Sequence, residues 1–288
     1  MHILPLRFKF IKDFFPGYNA KQLGEVYSIL GGIPRYLEEF DSKLSIEENI
    51  KRKILDRTSF LYHEPFNLLF EEFRAPAPYA SILSAITNGY VKFAEIAEFS
   101  KIQTYKLPKY LLILERVGLI EKEIPVTEKK LKAKTTRYKI KDNFYKFWFK
   151  FIFKNRSMLE QGLQKEVLNL VKQELNTYTS KSFEDVCKDF LLEMRMFNLT
   201  KIGKWWHKDK EIDIVGLNER TREILFAECK WQERVNARII FTELKEKARC
   251  VDWPSKKQTY VIFAKSFKEK FKEPGILLFD LKDMEKFL

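Results

Sequence analysis

The chain has 288 residues, of which 45% are hydrophobic and 32% charged, and its formal net charge is +13. This composition supplies enough apolar residues for packed cores and excludes an intrinsically disordered chain. No run reaches the roughly 18 apolar residues of a membrane span, and the N-terminus lacks the pattern of a secretory signal. The three cysteines lie far apart without CxxC spacing, which favours a reducing cytoplasm over structural zinc. The basic excess predicts an anionic partner, above all nucleic acid; the alternative is the general Lys and Glu enrichment of heat-adapted proteins.

Residues 1–62 are predicted to be a helical segment with one sharp interruption. Apolar spacing predicts a short helix over Leu23–Leu30, which Gly31-Gly32 ends. Pro34 then suits the first turn of a second helix. No catalytic constellation is apparent in this segment.

The stretch Tyr27–Leu37, with its core G-G-I-P-R-Y-L, resembles the signature that closes the ATPase module of a large archaeal-type P-loop ATPase family. The resemblance implies that residues 1–62 correspond to the helical lid that follows the nucleotide-binding core of that family. The phosphate-binding pattern G-x4-G-K-[ST] is absent from the sequence, so no ATP site is predicted in this chain. The chain would then be a truncated or separately encoded C-terminal part of such an ATPase, with a P-loop ATPase domain or subunit as a partner.

Residues 63–157 carry a second pattern, of helices followed by two short strands. Apolar periodicity predicts three helices, over Tyr79–Thr87, Phe93–Ala97 and Thr104–Arg116. It also predicts a β-hairpin with strands over Leu119–Lys122 and Thr136–Ile140. This order resembles a winged helix-turn-helix, in which Thr104–Arg116 would be the recognition helix. The alternative is a winged helix that is used for protein contacts.

The charge of the same region favours DNA. Between Leu119 and Arg156 there are twelve Lys and Arg against four Asp and Glu, a net charge of +8. Exposed basic residues bind phosphates without reading bases. The expected phosphate contacts in and beside the wing are Lys129, Lys130, Lys132, Lys134 and Arg137.

The last part of the chain begins with two predicted helices and continues with strands. The first helix, Met158–Asn176, would link the domains, and Ser182 would cap the second. Glu184 falls at the edge of the apolar stripe of the second helix. The elements predicted after it are the strand Ile202–Trp206, a hairpin, the helix Ile239–Cys250, the strand Gln258–Ala264 and a further edge strand over Gly275–Leu281.

The predicted hairpin carries three charged residues whose spacing indicates metal chemistry. Asp213 lies in the apolar run Glu211–Gly216, and Glu228 and Lys230 follow the run Ile224–Ala227. Neighbouring strands lie about 5 Å apart, so Asp213 and Glu228 can share a hard cation, Mg²⁺ or Mn²⁺, which polarises a phosphate and activates water. Lys230 points to the same face of its strand as Glu228 and would offset transition-state charge. The alternative is a pair of solvent-facing strand acids beside a surface lysine.

This pattern, D-x14-E-x-K, resembles the PD-(D/E)xK nuclease superfamily, and the predicted order α–β–β–β–α–β is the core of that fold. The resemblance implies a restriction-endonuclease-like α/β domain over residues 158–288. It also implies a role for Glu184, at the position of the acid on the first core helix, in orienting a metal-bound water or a second cation. Taken together, nearly the whole chain resembles the C-terminal portion of the archaeal-type ATPases, whose nuclease-like end is largely of unknown function.

The sequence thus predicts an α/β multidomain protein made of a helical segment, a winged helix-turn-helix and a nuclease-like domain. Its predicted function is DNA binding with metal-dependent phosphodiester hydrolysis. The predicted catalytic residues are Asp213, Glu228, Lys230 and Glu184. The alternatives are a non-cleaving DNA- or protein-binding module of an ATPase and a protein-interaction scaffold without DNA affinity. The choice of DNA over RNA and the oligomeric state are left open.

Overall fold

The computed structural model describes residues 5–130, 135–195 and 197–287, and helices dominate the first half of the chain. These helices are α1 (Ile11–Phe14), α2 (Ala20–Leu30), α3 (Pro34–Leu37), α4 (Ile46–Asn49), α5 (Phe60–Glu72), α6 (Pro76–Thr87), α7 (Phe93–Ser100) and α8 (Leu107–Arg116). A 3₁₀ turn over Phe8–Phe10 precedes them, and a π-helical turn over Ile50–Ile54 extends α4. None of the helices in the described ranges is long and apolar enough to cross a membrane.

The predicted interruption between the first two helices is confirmed. Gly31 adopts a φ of 64° at the end of α2, which is a conformation that glycine adopts at little cost, and Pro34 opens α3. Gly32 is required for close packing as well, because a Cβ there would lie 2.0 Å from the carbonyl oxygen of Leu6. The Asn143 side chain also donates a hydrogen bond to Tyr27 O at 3.0 Å, so the glycine turn is a packing site within the chain.

The middle of the chain contains the predicted helices and hairpin. Helix α8 begins at Leu107 rather than Thr104, because Gln103–Lys106 form a turn in which Lys106 N donates to Gln103 O at 2.9 Å. The strands β1 (Ile120–Glu123) and β2 (Arg137–Ile140) pair antiparallel. They are followed by α9 (Asn143–Phe147), a π-helical turn over Trp148–Phe153 and α10 (Arg156–Glu160).

The prediction of two separate helices around Asn176 and Ser182 was wrong. A single helix, α11, runs from Gln164 to Met194, and Ser182 is buried inside it rather than at its N-terminus. The stretch around Tyr178 and Thr179 is polar, which favours a break locally. In the fold, however, Tyr178 OH donates to Asn143 O at 3.2 Å, and the Thr179 hydroxyl lies 3.1 Å from the hydroxyl of Ser28. These tertiary contacts bury the polar stretch and keep the helix continuous.

The rest of the chain forms a mixed sheet with helices on its two faces. Its elements are β3 (Lys201–His207), β4 (Lys210–Asn218), β5 (Glu223–Lys230), β6 (Val235–Asn236), α12 (Ala237–Ala248), β7 (Lys257–Ala264), β8 (Phe267–Glu269), β9 (Ile276–Asp280) and α13 (Leu281–Glu285). The five-stranded sheet has the order β3-β4-β5-β7-β9, with antiparallel pairs as far as β5 and parallel pairs beyond it. The mixed α/β class and the predicted edge strand at 275–281 are confirmed, whereas the winged-helix and PD-(D/E)xK assignments stay predictions.

The two faces of this sheet are covered by different helices. Ala227 and Cys229 of β5 belong to the buried cluster that contains Phe183 of α11. Phe226 belongs to a second cluster, with Leu244 of α12. Since successive strand residues point to opposite faces, α11 and α12 sandwich the sheet.

The N-terminal helices and the sheet share one hydrophobic cluster, which extends from Phe8 to Met284. Helix α2 packs against α9, α11 and α13. Its Gly24 lies directly over the indole of Trp231, the residue that follows β5, and a Cβ at Gly24 would be 2.8 Å from that ring. Trp231 is fully buried and also packs on Phe183, with ring centroids 4.9 Å apart. The helical segment therefore supports the strand that carries Glu228 and Lys230.

We expect Gly24→Val to lower the free energy of unfolding by about 2 kcal/mol, because the added side chain overpacks the Trp231 indole. Urea unfolding followed by circular dichroism measures this effect. Gly17→Ala is the matched control, since no atom lies within 4 Å of a Cβ at Gly17, and it should change stability by less than about 0.5 kcal/mol. An equal effect of both substitutions would contradict the proposed contact between α2 and Trp231.

Candidate functional site

Asp213 and Glu228 lie at the same level on adjacent strands. The ladder between β4 and β5 ends at the pair Ile214–Ala227, and Asp213 and Glu228 are the next residues along each strand. Asp213 Oδ2 accepts a hydrogen bond from the backbone N–H of Cys229 at 2.8 Å. The predicted hairpin thus brings both carboxylates to the point where the two strands separate.

A β-bulge in β4 occurs at Asp213. Gly203 pairs with Val215 and Trp205 pairs with Ile212, so three steps along β4 match two steps along β3. As a result Ile212 and Val215 both pack in the cluster under α12, while Ile214 packs in the cluster under α11. The bulge therefore lies between Ile212 and Val215, in the stretch that contains Asp213.

Glu228 is a buried carboxylate whose two oxygens have different surroundings. Its Oε1 accepts hydrogen bonds from Lys230 Nζ at 2.8 Å and from Lys247 Nζ of α12 at 2.9 Å. Its Oε2 is buried and has no hydrogen-bond partner among the residues that the structure describes. A buried carboxylate oxygen without a donor is costly, so the two oxygens of Glu228 are held unequally.

Electrostatics couples Asp213 to its neighbours. Burial, followed by the charge of Glu228, raises the pKa of Asp213 to about 6. Burial alone would lower the pKa of Lys230, but the charge and hydrogen bond of Glu228 outweigh it and raise that pKa above its ordinary value. Lys230 is therefore a cation at neutral pH and cannot serve there as a general base.

Glu184 reaches the same neighbourhood from α11. It forms a close ion pair with Lys204 of β3. Burial raises the pKa of Glu184 to about 7; Lys204 opposes this shift, and the nearby charge of Asp213 adds to it. The structure therefore brings Glu184 into the electrostatic neighbourhood of Asp213, and Asp213 in turn interacts with Glu228 and Lys230.

The donor set suits a hard cation that keeps most of its waters. Asp213 and Glu228 Oε2 supply carboxylate oxygens, the ligand type that Mg²⁺ and Mn²⁺ prefer. Burial first, and then repulsion from Glu228, raises the pKa of Asp213, and a divalent cation bound there would offset both effects. Within 5–130, 135–195 and 197–287, however, no group of three or more His, Cys, Asp or Glu side chains is arranged to hold a metal. A cation here would thus have two protein carboxylates and complete its shell with water.

Sequence reasoning missed Lys204 and Lys247. Lys204, on β3, lies opposite the bulge of β4. Nothing in its local sequence distinguishes it from other strand lysines. Lys247 had a signal, since it lies three residues after Leu244 and directly before Ala248 in α12. Both apolar residues pack on the sheet, so helical spacing places Lys247 on the sheet-facing side.

A cleft of about 400 Å³ separates the β1–β2 hairpin and α6 from α11 and β3. Its basic residues are Arg137, Lys139, Lys146, Lys150, Lys181 and Lys204. Its acidic residues are Glu123, Glu174, Glu184, Asp185 and Glu211. Of the predicted catalytic residues, Glu184 lines this cleft, whereas Asp213, Glu228 and Lys230 are not among its lining residues.

The predicted phosphate contacts of the hairpin have different environments. Lys129 and Lys130 are exposed, as a phosphate contact requires, whereas Lys132 and Lys134 lie outside the described residues. Arg137 is engaged within the chain: its guanidinium donates to Glu211 at 2.7 Å and stacks over the Trp206 ring at 4.2 Å. The loop before these lysines is also held, because Val126 N donates to Lys204 O at 2.9 Å and covers the edge strand β3.

The surface around α8 is a second basic face. None of its residues is among the phosphate contacts predicted from the sequence. Its exposed cations are Lys101, Lys106, Lys109 and Arg116. The Tyr105 side chain lies among them and is 73% exposed. The acid on this helix, Glu115, is paired with Lys122 at 2.7 Å, so the exposed side of the helix is positive.

Comparisons with known proteins place the site in a family context. Residues 148–246 match the DUF234 family, described as "Archaea bacterial proteins of unknown function". An uncharacterized protein of Methanocaldococcus jannaschii is 36% identical over 290 residues, which cover 98% of this chain and 65% of that relative. No solved structure matches the chain.

The matched region, residues 148–246, contains all four predicted catalytic residues: Glu184, Asp213, Glu228 and Lys230. It begins inside the π-helical turn at Trp148 and ends within α12, one residue before Lys247. The three helices and the hairpin of the predicted winged helix lie before it. The family therefore covers α11 and the β3–β5 sheet, and its stated function is unknown.

Asp185, next to Glu184 in the matched region, connects the hairpin to α11. Its carboxylate accepts from Lys139 of β2 at 2.8 Å, and Lys146 of α9 lies 3.8 Å away. Burial raises the pKa of Asp185, but the two lysines outweigh it and hold the pKa at about 2, below its ordinary value of 3.8. The ionised Asp185 carboxylate therefore stabilises the folded state fully above about pH 4. This contribution to the free energy of unfolding is lost as the pH falls toward about 2.

We expect Asp185→Asn to lower the free energy of unfolding at pH 7 by about 2 kcal/mol, because two partly buried lysines lose their counter-charge. The difference from wild type should shrink as the pH falls from about 4 to about 2. Urea unfolding at pH 7 and thermal unfolding across that acidic range measure both effects. Glu47→Gln, which removes an exposed pair with Lys172, is the control and should cost less than about 0.5 kcal/mol. Equal costs would show that the Asp185 network is no stronger than a surface pair.

Proposed function

We propose that this protein binds DNA and cleaves its phosphodiester backbone with a divalent cation held by Asp213 and Glu228. The observation that carries the proposal is the pair of carboxylates on adjacent strands, with the buried Glu228 Oε2 free for a ligand and the charged Lys230 beside it. The D-x14-E-x-K spacing, the bulge at Asp213 and the order of elements from α11 to β7 support a PD-(D/E)xK-like assignment.

Each side chain of the site would have a separate task. Asp213 and Glu228 would hold Mg²⁺ or Mn²⁺, which when bound supplies Lewis acidity and a water of lowered pKa. Lys230, about a quarter exposed, would donate to a phosphate oxygen and stabilise the charge that develops on it. Glu184, whose pKa of about 7 allows it to exchange a proton near neutral pH, would accept a proton from the attacking water or donate one to the leaving oxygen.

The DNA would be held by the winged-helix-like part of the chain. The support is the exposed basic face of α8 together with Lys129 and Lys130 of the hairpin loop. Such lysines bind phosphates and position a duplex without specifying its sequence. Because Arg137 is already paired with Glu211, we assign the larger share of the phosphate contacts to α8.

We also propose that a P-loop ATPase domain or subunit is a partner. The support is the G-G-I-P-R-Y-L segment, which resembles the signature that closes the ATPase module of that family. Titration calorimetry with a P-loop ATPase domain from the same genome tests this partner. No heat of binding at micromolar concentrations would contradict it.

One observation favours a second function, that of a non-cleaving binding module. Lys230 and Lys247 already neutralise Glu228 without any metal, and no group of three possible ligands occurs among the described residues. Such a module would bind DNA with a steep salt dependence and would show no metal-dependent cleavage.

Cleavage of plasmid and oligonucleotide DNA with Mg²⁺ or Mn²⁺ separates the two functions. We expect the wild type to cut, and Asp213→Asn and Lys230→Met to lose about 100-fold or more, because each removes a group that acts on the transition state. Glu219→Gln is the matched control: it alters an acid in the turn of the same hairpin, where Glu219 pairs with exposed Lys201. Equal rates for the wild type, Asp213→Asn and Lys230→Met would contradict the nuclease function.

DNA binding is tested by the salt dependence of affinity. We expect Lys106→Ala with Lys109→Ala to weaken binding and to reduce the slope of log K against log salt by about two, since two phosphate contacts are lost. Lys21→Ala with Lys165→Ala, which removes two exposed lysines from α2 and α11, should leave the slope unchanged. Fluorescence anisotropy from 50 to about 200 mM salt measures both. A slope that the α8 pair does not alter would exclude this face as the DNA contact.

A further inference from the structure

A second lysine reaches the buried Glu228 carboxylate from outside the D-x14-E-x-K pattern. Lys247 Nζ of α12 lies 2.9 Å from Glu228 Oε1, the same oxygen that accepts from Lys230 Nζ at 2.8 Å. Both ammonium groups thus bind one oxygen of one carboxylate. The other oxygen, Oε2, has no donor among the described residues.

The position of Lys247 is fixed by the packing of its helix. Leu244 and Ala248, on either side of it in the sheet-facing stripe of α12, are buried against Val215 and Phe226. Lys245, in contrast, is exposed and lies over the ring of Phe241 at 4.3 Å. The helix therefore aims one of these two lysines at Glu228 and the other away from it.

The exposures of the three side chains show what the arrangement permits. Glu228 is 5% exposed, whereas Lys230 and Lys247 each keep 28% of their side chains exposed. One cation would be enough to balance the carboxylate, so the trio carries a net positive charge that reaches solvent. If a lone lysine left Glu228 to bind a phosphate, the buried carboxylate would remain without a counter-charge, which is strongly unfavourable. With two lysines, one can leave while the other remains.

We propose that Lys247 is a positioning residue for DNA cleavage. It keeps Glu228 Oε1 paired when Lys230 leaves that oxygen for the scissile phosphate. This inference rests on the proposed nuclease function and assigns to Lys247 a role that the D-x14-E-x-K pattern does not contain.

The kinetic test compares Lys247→Met, Lys247→Arg and the control Lys245→Met in steady-state cleavage of an oligonucleotide with Mg²⁺. Lys247→Met should lower kcat at least about tenfold and change KM by less than about twofold, because the lost interaction matters at the chemical step. Lys247→Arg keeps the charge and should recover kcat to within about threefold of wild type, and Lys245→Met should match wild type. Equal kcat for wild type and Lys247→Met, or no recovery with arginine, would overturn the inference.

A second measurement does not depend on activity: Mn²⁺ binding followed by the thermal shift of the folded protein. Lys247→Met removes a positive charge next to the carboxylates, so its apparent Kd for Mn²⁺ should be lower than that of wild type, by about threefold. Slower cleavage with tighter Mn²⁺ binding identifies a positioning role for Lys247. Slower cleavage with weaker Mn²⁺ binding shows that the site has merely lost its structure, and this result overturns the positioning role. A wild type that neither binds Mn²⁺ nor cleaves would overturn the nuclease function and this role with it. Cleavage that Lys247→Met leaves unchanged overturns the role of Lys247 alone.

Discussion

The buried carboxylate of Glu228 is the constraint on which the site depends. A charge in that position is stable only with partners, since isolated burial costs many kcal/mol. The structure supplies them from two elements: Lys230 on its own strand and Lys247 on α12. Both lysines bind the same oxygen, which leaves the other facing no donor in the described part of the chain. This asymmetry is what makes the pair Asp213 and Glu228 a candidate cation site instead of an ordinary surface ion pair.

The surrounding fold holds that carboxylate in place from both faces of the sheet. Helix α12 packs through Leu244 and Ala248, and α11 packs through Phe183 on the other side. Trp231, directly after Lys230, is buried between Phe183 and Gly24 of α2. The helical segment at the start of the chain, which carries none of the predicted catalytic residues, is therefore part of the support of β5.

A separate set of charges connects the hairpin to the same region. Arg137 is paired with Glu211, Lys204 with Glu184, and Lys139 with Asp185, so the hairpin and β3–β4 share one partly buried network with α11. These pairs line the cleft between the hairpin and α11. In the proposed function, DNA bound on the basic face of α8 would meet the carboxylates across this network. A movement of the hairpin would then change the surroundings of Glu184 through its ion pair with Lys204.

Local sequence alone determined the parts of this protein that depend on short-range periodicity. The helices around Gly31-Gly32, the β4–β5 hairpin and the neighbouring positions of Asp213 and Glu228 followed from apolar spacing and turn residues, because those features act within a few residues. Tertiary structure decided the rest. Long-range contacts of Tyr178 and Thr179 keep α11 whole across a polar stretch, the pairing of β3 with β4 creates the bulge at Asp213, and α12 brings Lys247 to Glu228 from 19 residues away. The acids of the candidate site could be predicted from the sequence. The lysines that pair with them were determined by the packing of helix on sheet, because these ion pairs depend on contacts between segments far apart in the chain.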